Sequence, residues 1–172
     1  MLSIPRRFEN TTYKEVPDNI KKSFESIPES RRGMYIHGGV GTGKTHIAYA
    51  LLKEAEGRKI SCGLWNTTEM FRQFRRDIKR SDDEKTDVED VLLESRGLLV
   101  FDDIGAEKLS DWVSETFYLI INRRYEEMIP TIFTSNLDVA TLAEKIGDRT
   151  VSRIIEMCDI IKLEGKDRRL LS

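Results

Sequence analysis

Gly38-Gly39-Val40-Gly41-Thr42-Gly43-Lys44-Thr45 follows a short apolar run, Met34–His37, and opens a segment of helical period. The octet has the form G-x-x-x-x-G-K-[ST], the spacing of a phosphate-binding loop between a strand and a helix. Its glycines let backbone N–H groups curl around phosphate oxygens where a side chain would block approach. The N-terminus of the next helix adds positive potential at the same point. Lys44 brings a point charge for the β- and γ-phosphates, and Thr45 brings a hydroxyl for Mg²⁺.

Outward from this loop the chain alternates between strand and helix signals. The apolar runs Met34–His37, Ile60–Trp65, Leu98–Phe101 and Thr131–Thr134, and a weaker Asp159–Leu163, read as buried strands. Between them, Lys44–Glu56 carries apolar residues at Ile47, Ala48, Leu51, Leu52 and Ala55, the spacing of one buried helix face. Further helices are expected over about Thr67–Arg80, Asp87–Ser95, Asp111–Met128 (with Ser110 as N-cap), Val139–Ile146 and Thr150–Met157. This order predicts an α/β fold with a central parallel five-stranded sheet. Residues 1–30 read as an arm or linker with a short helix, and residues 31–172 as the domain proper.

The chain has 172 residues, enough for one domain with its own core. A net charge of −2 excludes a globally basic nucleic-acid coat, so any DNA contact must come from a local patch. Cys62 and Cys158 stand too far apart in the chain for a CxxC zinc site, and two cysteines make no dense disulfide framework. No apolar run approaches the roughly 18 residues of a membrane span. The N-terminus lacks a signal-peptide core, which predicts a cytoplasmic protein without membrane partners.

Leu98-Leu99-Val100-Phe101-Asp102-Asp103 is an apolar strand ending in two carboxylates. A parallel strand delivers its carboxyl-end residues to the ligand crevice. Asp102 is the natural partner of Mg²⁺, and Asp103 is placed to orient or deprotonate an attacking water. Asn136, after the next apolar strand, is expected beside the γ-phosphate; alone it reads equally as a turn residue. Arg149 and Arg153, four apart on a predicted helix, share a face. From spacing they fit a solvated pair as well as an arginine that reaches a neighbouring subunit's phosphate.

Gly-Gly-Val-Gly-Thr-Gly-Lys-Thr-His, Leu-Leu-Val-Phe-Asp-Asp-Ile-Gly-Ala-Glu-Lys, Ile-Ile-Asn-Arg-Arg-Tyr, Pro-Thr-Ile-Phe-Thr-Ser-Asn and Asp-Arg-Thr-Val-Ser-Arg-Ile occur in that order. Together they resemble the AAA+ ATPase domain of the DnaC/DnaI-type replicative helicase loaders, which is related to IstB-type ATPases. The arm from Ile4 to Tyr13 is similar to the segment preceding that domain. The resemblance covers nearly the whole chain and implies a P-loop NTPase (AAA+) three-layer fold that binds and hydrolyses ATP with Mg²⁺. It implies that the loop set extends to His46, that Thr45 and Asp102 hold the metal, and that Asp103 stands where most AAA+ proteins carry glutamate, consistent with slow turnover. It places Asn136 at sensor 1 and Arg153 at the arginine finger, with Arg149 a companion. The implied partners are a hexameric DnaB-type helicase, single-stranded DNA and further copies of the chain in a ring or spiral. Two features depart from the family. Nothing matches its separate N-terminal helicase-binding domain, and too few residues follow Arg169 for a sizeable C-terminal lid.

Arg72, Arg75, Arg76, Lys79 and Arg80 recur at i, i+3, i+4, i+7 and i+8, a basic stripe suited to a phosphate backbone. Phe71, Phe74 and Ile78 beside it read as core rather than as a base-stacking platform. The acidic run at Ser81–Asp90 reads as a solvated loop that offsets the stripe. A competing reading is an IstB-type transposition helper acting on duplex DNA with a transposase. A small-molecule kinase lacks a recognisable acceptor site, and a GTPase lacks its Asn-Lys-x-Asp motif.

Overall fold

Short, largely apolar strand runs form the centre of the structure. A computed structural model describes residues 3–77, 88–106 and 109–165 of the chain. Five strands, β1 (Gly33–His37), β2 (Cys62–Asn66), β3 (Leu98–Asp102), β4 (Thr131–Ser135) and β5 (Cys158–Lys162), lie in the order β2-β3-β4-β1-β5. Every pairing is parallel. Seven helices are described: α1 (Asp18–Ser30), α2 (Lys44–Gly57), α3 (Thr67–Asp77), α4 (Val88–Glu94), α5 (Asp111–Glu126), α6 (Val139–Ile146) and α7 (Asp148–Met157). Two single 3₁₀ turns, Arg6–Phe8 and Tyr13–Glu15, precede α1.

Strand side chains alternate between faces, and this divides the core in two. Met34, Ile36, Val100 and Ile132 pack with Ile20 and Phe24 of α1 and with Leu51 and Leu52 of α2. Tyr35, Phe101 and Phe133 pack on the other face with α3–α7, through Phe71, Phe117, Leu142 and Ile154 among others. The result is the expected three-layer α/β fold. Burial is continuous across residue 31, because α1 shares its core with β1.

Sequence and structure differ mainly at element ends. Ile60 was expected to begin β2. Instead Lys59 turns left-handed (φ 61°) and the Ile60 N–H returns to Ala55 O, so Ile60 stays 40% exposed and the strand begins at Cys62. Helix α5 stops at Glu126, before a left-handed Met128 (φ 50°). Ser110 takes its N-cap position without a capping side-chain bond. Gly147 starts α7 two residues earlier than expected, at Asp148. Helix α3 is described to Asp77, so Ile78, Lys79 and Arg80 lie outside the described residues, as does most of the acidic run. Among the described residues no helix is long and apolar enough to cross a membrane.

Arg124 is fully buried, at 0% exposure, with no carboxylate partner among the described residues. Its guanidinium donates to Thr131 Oγ1 (2.7 Å), Ser95 O (3.0 Å), Gly97 O (2.7 Å) and Pro130 O (3.0 Å), joining the ends of α4 and α5 to β3 and β4. Burial lowers its pKa to about 10, so it stays charged at neutral pH. On the opposite layer, Arg58, just past the end of α2, grips Glu25 of α1 with two bonds of 2.6 Å and Glu54 with one of 2.8 Å.

Two outcomes follow. Arg124→Met leaves three loop carbonyls without their donor and should cost roughly 3–5 kcal/mol in urea unfolding. A loss below about 1 kcal/mol would contradict this reading. The Glu25 carboxyl is held down to about 2, first by the Arg58 hydrogen bonds and then by the Tyr13 hydroxyl. Its folded pKa lies below the unfolded one, so this stabilisation is complete above the unfolded value and disappears as pH falls. Glu25→Gln should flatten the decline in stability between roughly pH 5 and 3; an unchanged pH slope would exclude that contribution.

Candidate functional site

The register of three strands assembles the site. His37 pairs with Ser135, and Phe101 pairs with Phe133, so β1, β3 and β4 end at one level. The chain leaves β1 through the loop Gly38–Gly43 and enters α2 at Lys44. Gly41 (φ 77°) and Gly43 (φ 96°) adopt left-handed backbone, which lets the loop curl and aim the free N–H groups of the α2 terminus at the cleft. Lys44 is buried, and its ammonium donates to Gly38 O and Gly39 O at 2.8 Å. Thr42 Oγ1 donates to Gly39 O at 2.9 Å.

Asp102 ends β3 and is only 4% exposed. Its oxygens accept from Thr45 Oγ1 (3.0 and 3.1 Å) and from Thr134 Oγ1 (2.6 Å). Burial raises its pKa, while Thr134, Thr45 and the Lys44 charge oppose that rise. A hydroxyl and a carboxylate at this separation form a hard oxygen pair suited to Mg²⁺, and the loop with Lys44 suits a polyphosphate.

Asp103 has an unusual backbone, with φ 62°. A non-glycine residue holds this conformation only when its surroundings enforce it. Here its N–H donates to Thr134 Oγ1 (2.9 Å), Thr67 Oγ1 donates to its carbonyl (3.0 Å), and Asn136 Nδ2 donates to its Oδ1 (2.9 Å). The same Thr67 hydroxyl reaches Asp102 O at 3.0 Å. Asp103, Thr134 and Asn136 line a cleft of about 380 Å³ with Lys44, Thr45 and His46. The loop, both aspartates and Asn136 are therefore brought together as expected.

Sequence reasoning assigned no role to Thr134 or Thr67, which fix the two aspartates, or to Arg7 and Phe8, which line the cleft from the arm. Thr134 lay inside the quoted Thr-Ser-Asn motif; Thr67 carried no signal beyond opening a helix. The arm lies across α2. Lys53 Nζ donates to Glu9 O (2.9 Å) and Thr11 O (2.8 Å), Phe8 stacks on Tyr49 at 4.7 Å, and His46 Nε2 lies 3.2 Å from Glu15 Oε2.

Arg149 and Arg153 do not line the cleft of their own chain. Both stand on α7, over tyrosine rings of α5. On α3, Phe71 and Phe74 are buried, as expected, while Arg72 and Arg76 are exposed and Arg75 is half-buried. Trp112, 40% exposed, meets Phe74 edge-on at 6.2 Å.

Lys44→Ala should reduce nucleotide affinity by two orders of magnitude or more in a fluorescent-nucleotide titration, since it removes the buried phosphate-facing charge (about 1.4 kcal/mol per factor of ten). Undiminished binding would remove the loop assignment. Thr134→Val should lower affinity for the magnesium–nucleotide complex by about tenfold, with Thr134→Ser close to the parent. Equal affinities for all three proteins would show that the Thr134 bridge does not matter.

Comparison with known proteins agrees with this geometry. The family described as IstB-like ATP binding protein matches residues 8–172. The replicative helicase loader DnaI of Bacillus subtilis (strain 168) is 28% identical over 151 residues, covering 80% of this chain and 48% of that protein. This chain thus spans about half the length of that curated relative. Among solved structures, the DnaC helicase loader superposes with a TM-score of 0.77 at 28% identity, over 93% of this chain and 100% of that one. DnaI superposes at 0.79 and 27% identity, over 98% and 95%. The replication initiator DnaA shares the fold at 0.77 and 21% identity, over 92% of this chain and 51% of that one. Since one family match runs from the arm through the phosphate loop and all five strands, the chain belongs to the IstB-like ATP binding protein family.

Proposed function

We propose that this domain is a helicase-loader ATPase: it binds and hydrolyses ATP, self-associates on single-stranded DNA and helps place a hexameric DnaB-type replicative helicase. The observation that carries this reading is a cleft lined by Lys44, Thr45, Asp103 and Asn136, with Asp102 bonded to Thr45 behind it and the candidate arginine finger standing outside it. Arg7 of the chain's own arm lines this cleft, and an arginine at the finger position would reach it from a neighbouring copy. The likeness to DnaI and DnaC supports the loader role.

Loop N–H groups and Lys44 hold the phosphates, and Thr45 and Asp102 hold Mg²⁺. When bound, the metal neutralises charge on the phosphate oxygens. Asp103 accepts a hydrogen bond from the attacking water, and Asn136 couples Asp103 to the terminal phosphate. Arg153 of an adjacent copy stabilises charge during phosphoryl transfer. The segment around Arg7 and Phe8 acts as an arm bordering the nucleotide cleft, while α1 packs into the core of the ATPase domain. For DNA, exposed Arg72 and Arg76 offer backbone contacts, and Trp112, 40% exposed against Phe74, offers a stacking face.

ATP turnover measured across protein concentration should rise faster than linearly and be stimulated by single strands. Trp112 fluorescence should be quenched on binding, a signal lost in Trp112→Phe. Linear, DNA-independent turnover would refute the assembly. Stimulation by duplex DNA alone would transfer the assignment to the transposition-helper reading, which the family description keeps in view. Arg153→Ala should bind nucleotide normally yet lose assembly-dependent turnover, by on the order of 10³-fold in the limit. Mixing it with Lys44→Ala, which supplies an intact arginine, should restore part of the activity. No restoration would refute a trans role for Arg153.

A further inference from the structure

Two tyrosines of α5 meet two arginines of α7. Tyr118 and Tyr125 are seven residues apart, and so lie on one helix face two turns from each other. Arg149 and Arg153 are four apart on α7. The Arg149 Cζ lies 4.6 Å from the Tyr118 ring centroid, and its Nη2 donates to the Tyr118 hydroxyl at 3.2 Å. The Arg153 Cζ lies 4.3 Å from the Tyr125 ring centroid. That ring is itself fixed, because its hydroxyl donates to Glu156 Oε2 at 2.6 Å. Arg149 is exposed, whereas Arg153 is half-buried and more constrained.

These contacts differ from those of several other surface arginines among the described residues. Arg32, Arg58, Arg96 and Arg123 each sit in an ion pair with a carboxylate, whereas among the described residues neither Arg149 nor Arg153 does. A carboxylate fixes an arginine but consumes its donors and cancels its charge. An aromatic face fixes the guanidinium plane through the ring quadrupole and leaves charge and N–H edges available. Glu156, the nearby acid, is bonded to the tyrosine hydroxyl instead.

We infer that Tyr125 is a positioning residue for Arg153: its ring holds the guanidinium oriented, outside any salt bridge among the described residues, to meet the nucleotide phosphates of a neighbouring copy. This rests on the reading of Arg153 as an arginine acting in trans. Tyr125 touches no substrate and acts only through Arg153. Holding the arginine before assembly lowers the ordering cost when the phosphates arrive, so the effect falls on kcat and not on KM.

The mixed assembly of Arg153→Ala and Lys44→Ala chains separates this role from simple packing. Tyr125→Leu placed in the Lys44→Ala chain, which donates the arginine, should lower the restored kcat by about 3- to 10-fold with KM unchanged. Tyr125→Phe in that chain keeps the ring and should retain the restoration. Tyr125→Leu placed instead in the Arg153→Ala chain should change nothing further. Should Tyr125→Leu not fold, Tyr125→Gln, also without a ring, makes the same comparison. An equal fall from either chain would mean that Tyr125 only supports packing, and would overturn the inference. No fall from the donating chain would also overturn it, leaving Arg153 as the finger. No restoration by the parent mixture would remove the trans arginine itself, and the inference with it.

Discussion

The buried carboxylate of Asp102 is the constraint around which the site is organised. A charge removed from water must be met by hydrogen bonds or opposite charge. Asp102 is met by Thr45 at the start of α2, by Thr134 near the end of β4 and by the field of Lys44. The partners come from two segments, the start of α2 and the end of β4. The phosphate loop, β3 and β4 must therefore reach their carboxyl ends at one level, and the register that the core side chains set brings them there. Packing of the sheet and polarity of the cleft satisfy the same condition.

Asp103 shows how that framework serves chemistry. Its left-handed backbone is less favourable than an extended one, and three hydrogen bonds from separate elements hold it there. Thr134 serves both aspartates at once, donating to Asp102 and accepting from the Asp103 N–H. One hydroxyl thus ties the Asp102 carboxylate to the Asp103 backbone. Asn136 bonds Asp103 across the mouth of the cleft, so a change at either is felt by the other.

The arm and α7 extend the site in opposite directions. The arm crosses α2 on Lys53 and Tyr49 and brings Arg7 and Phe8 to the cleft of its own chain. Helix α7 carries its arginines away from that cleft, stacked on α5. In the proposed reading, a site lined in cis by one segment and supplied in trans by another suits a subunit that responds to its neighbours.

Most of this was legible in the sequence. The glycine spacing around Lys44, the carboxylates after Val100-Phe101 and the alternation of apolar runs determined the fold class and the nucleotide set, because those features depend on residues close together in the chain. Element ends at Ile60 and Met128 were not legible, since single left-handed residues at Lys59 and Met128 decide them and neither residue type favours that conformation. Tertiary structure alone decided that Arg124 is a buried tie rather than a surface charge, that Thr67 and Thr134 fix the aspartates, and that Arg153 rests on Tyr125. Each of those is a contact between elements far apart in the chain. A linear pattern records which side chains can bond, but only the packed sheet and helices decide which ones meet.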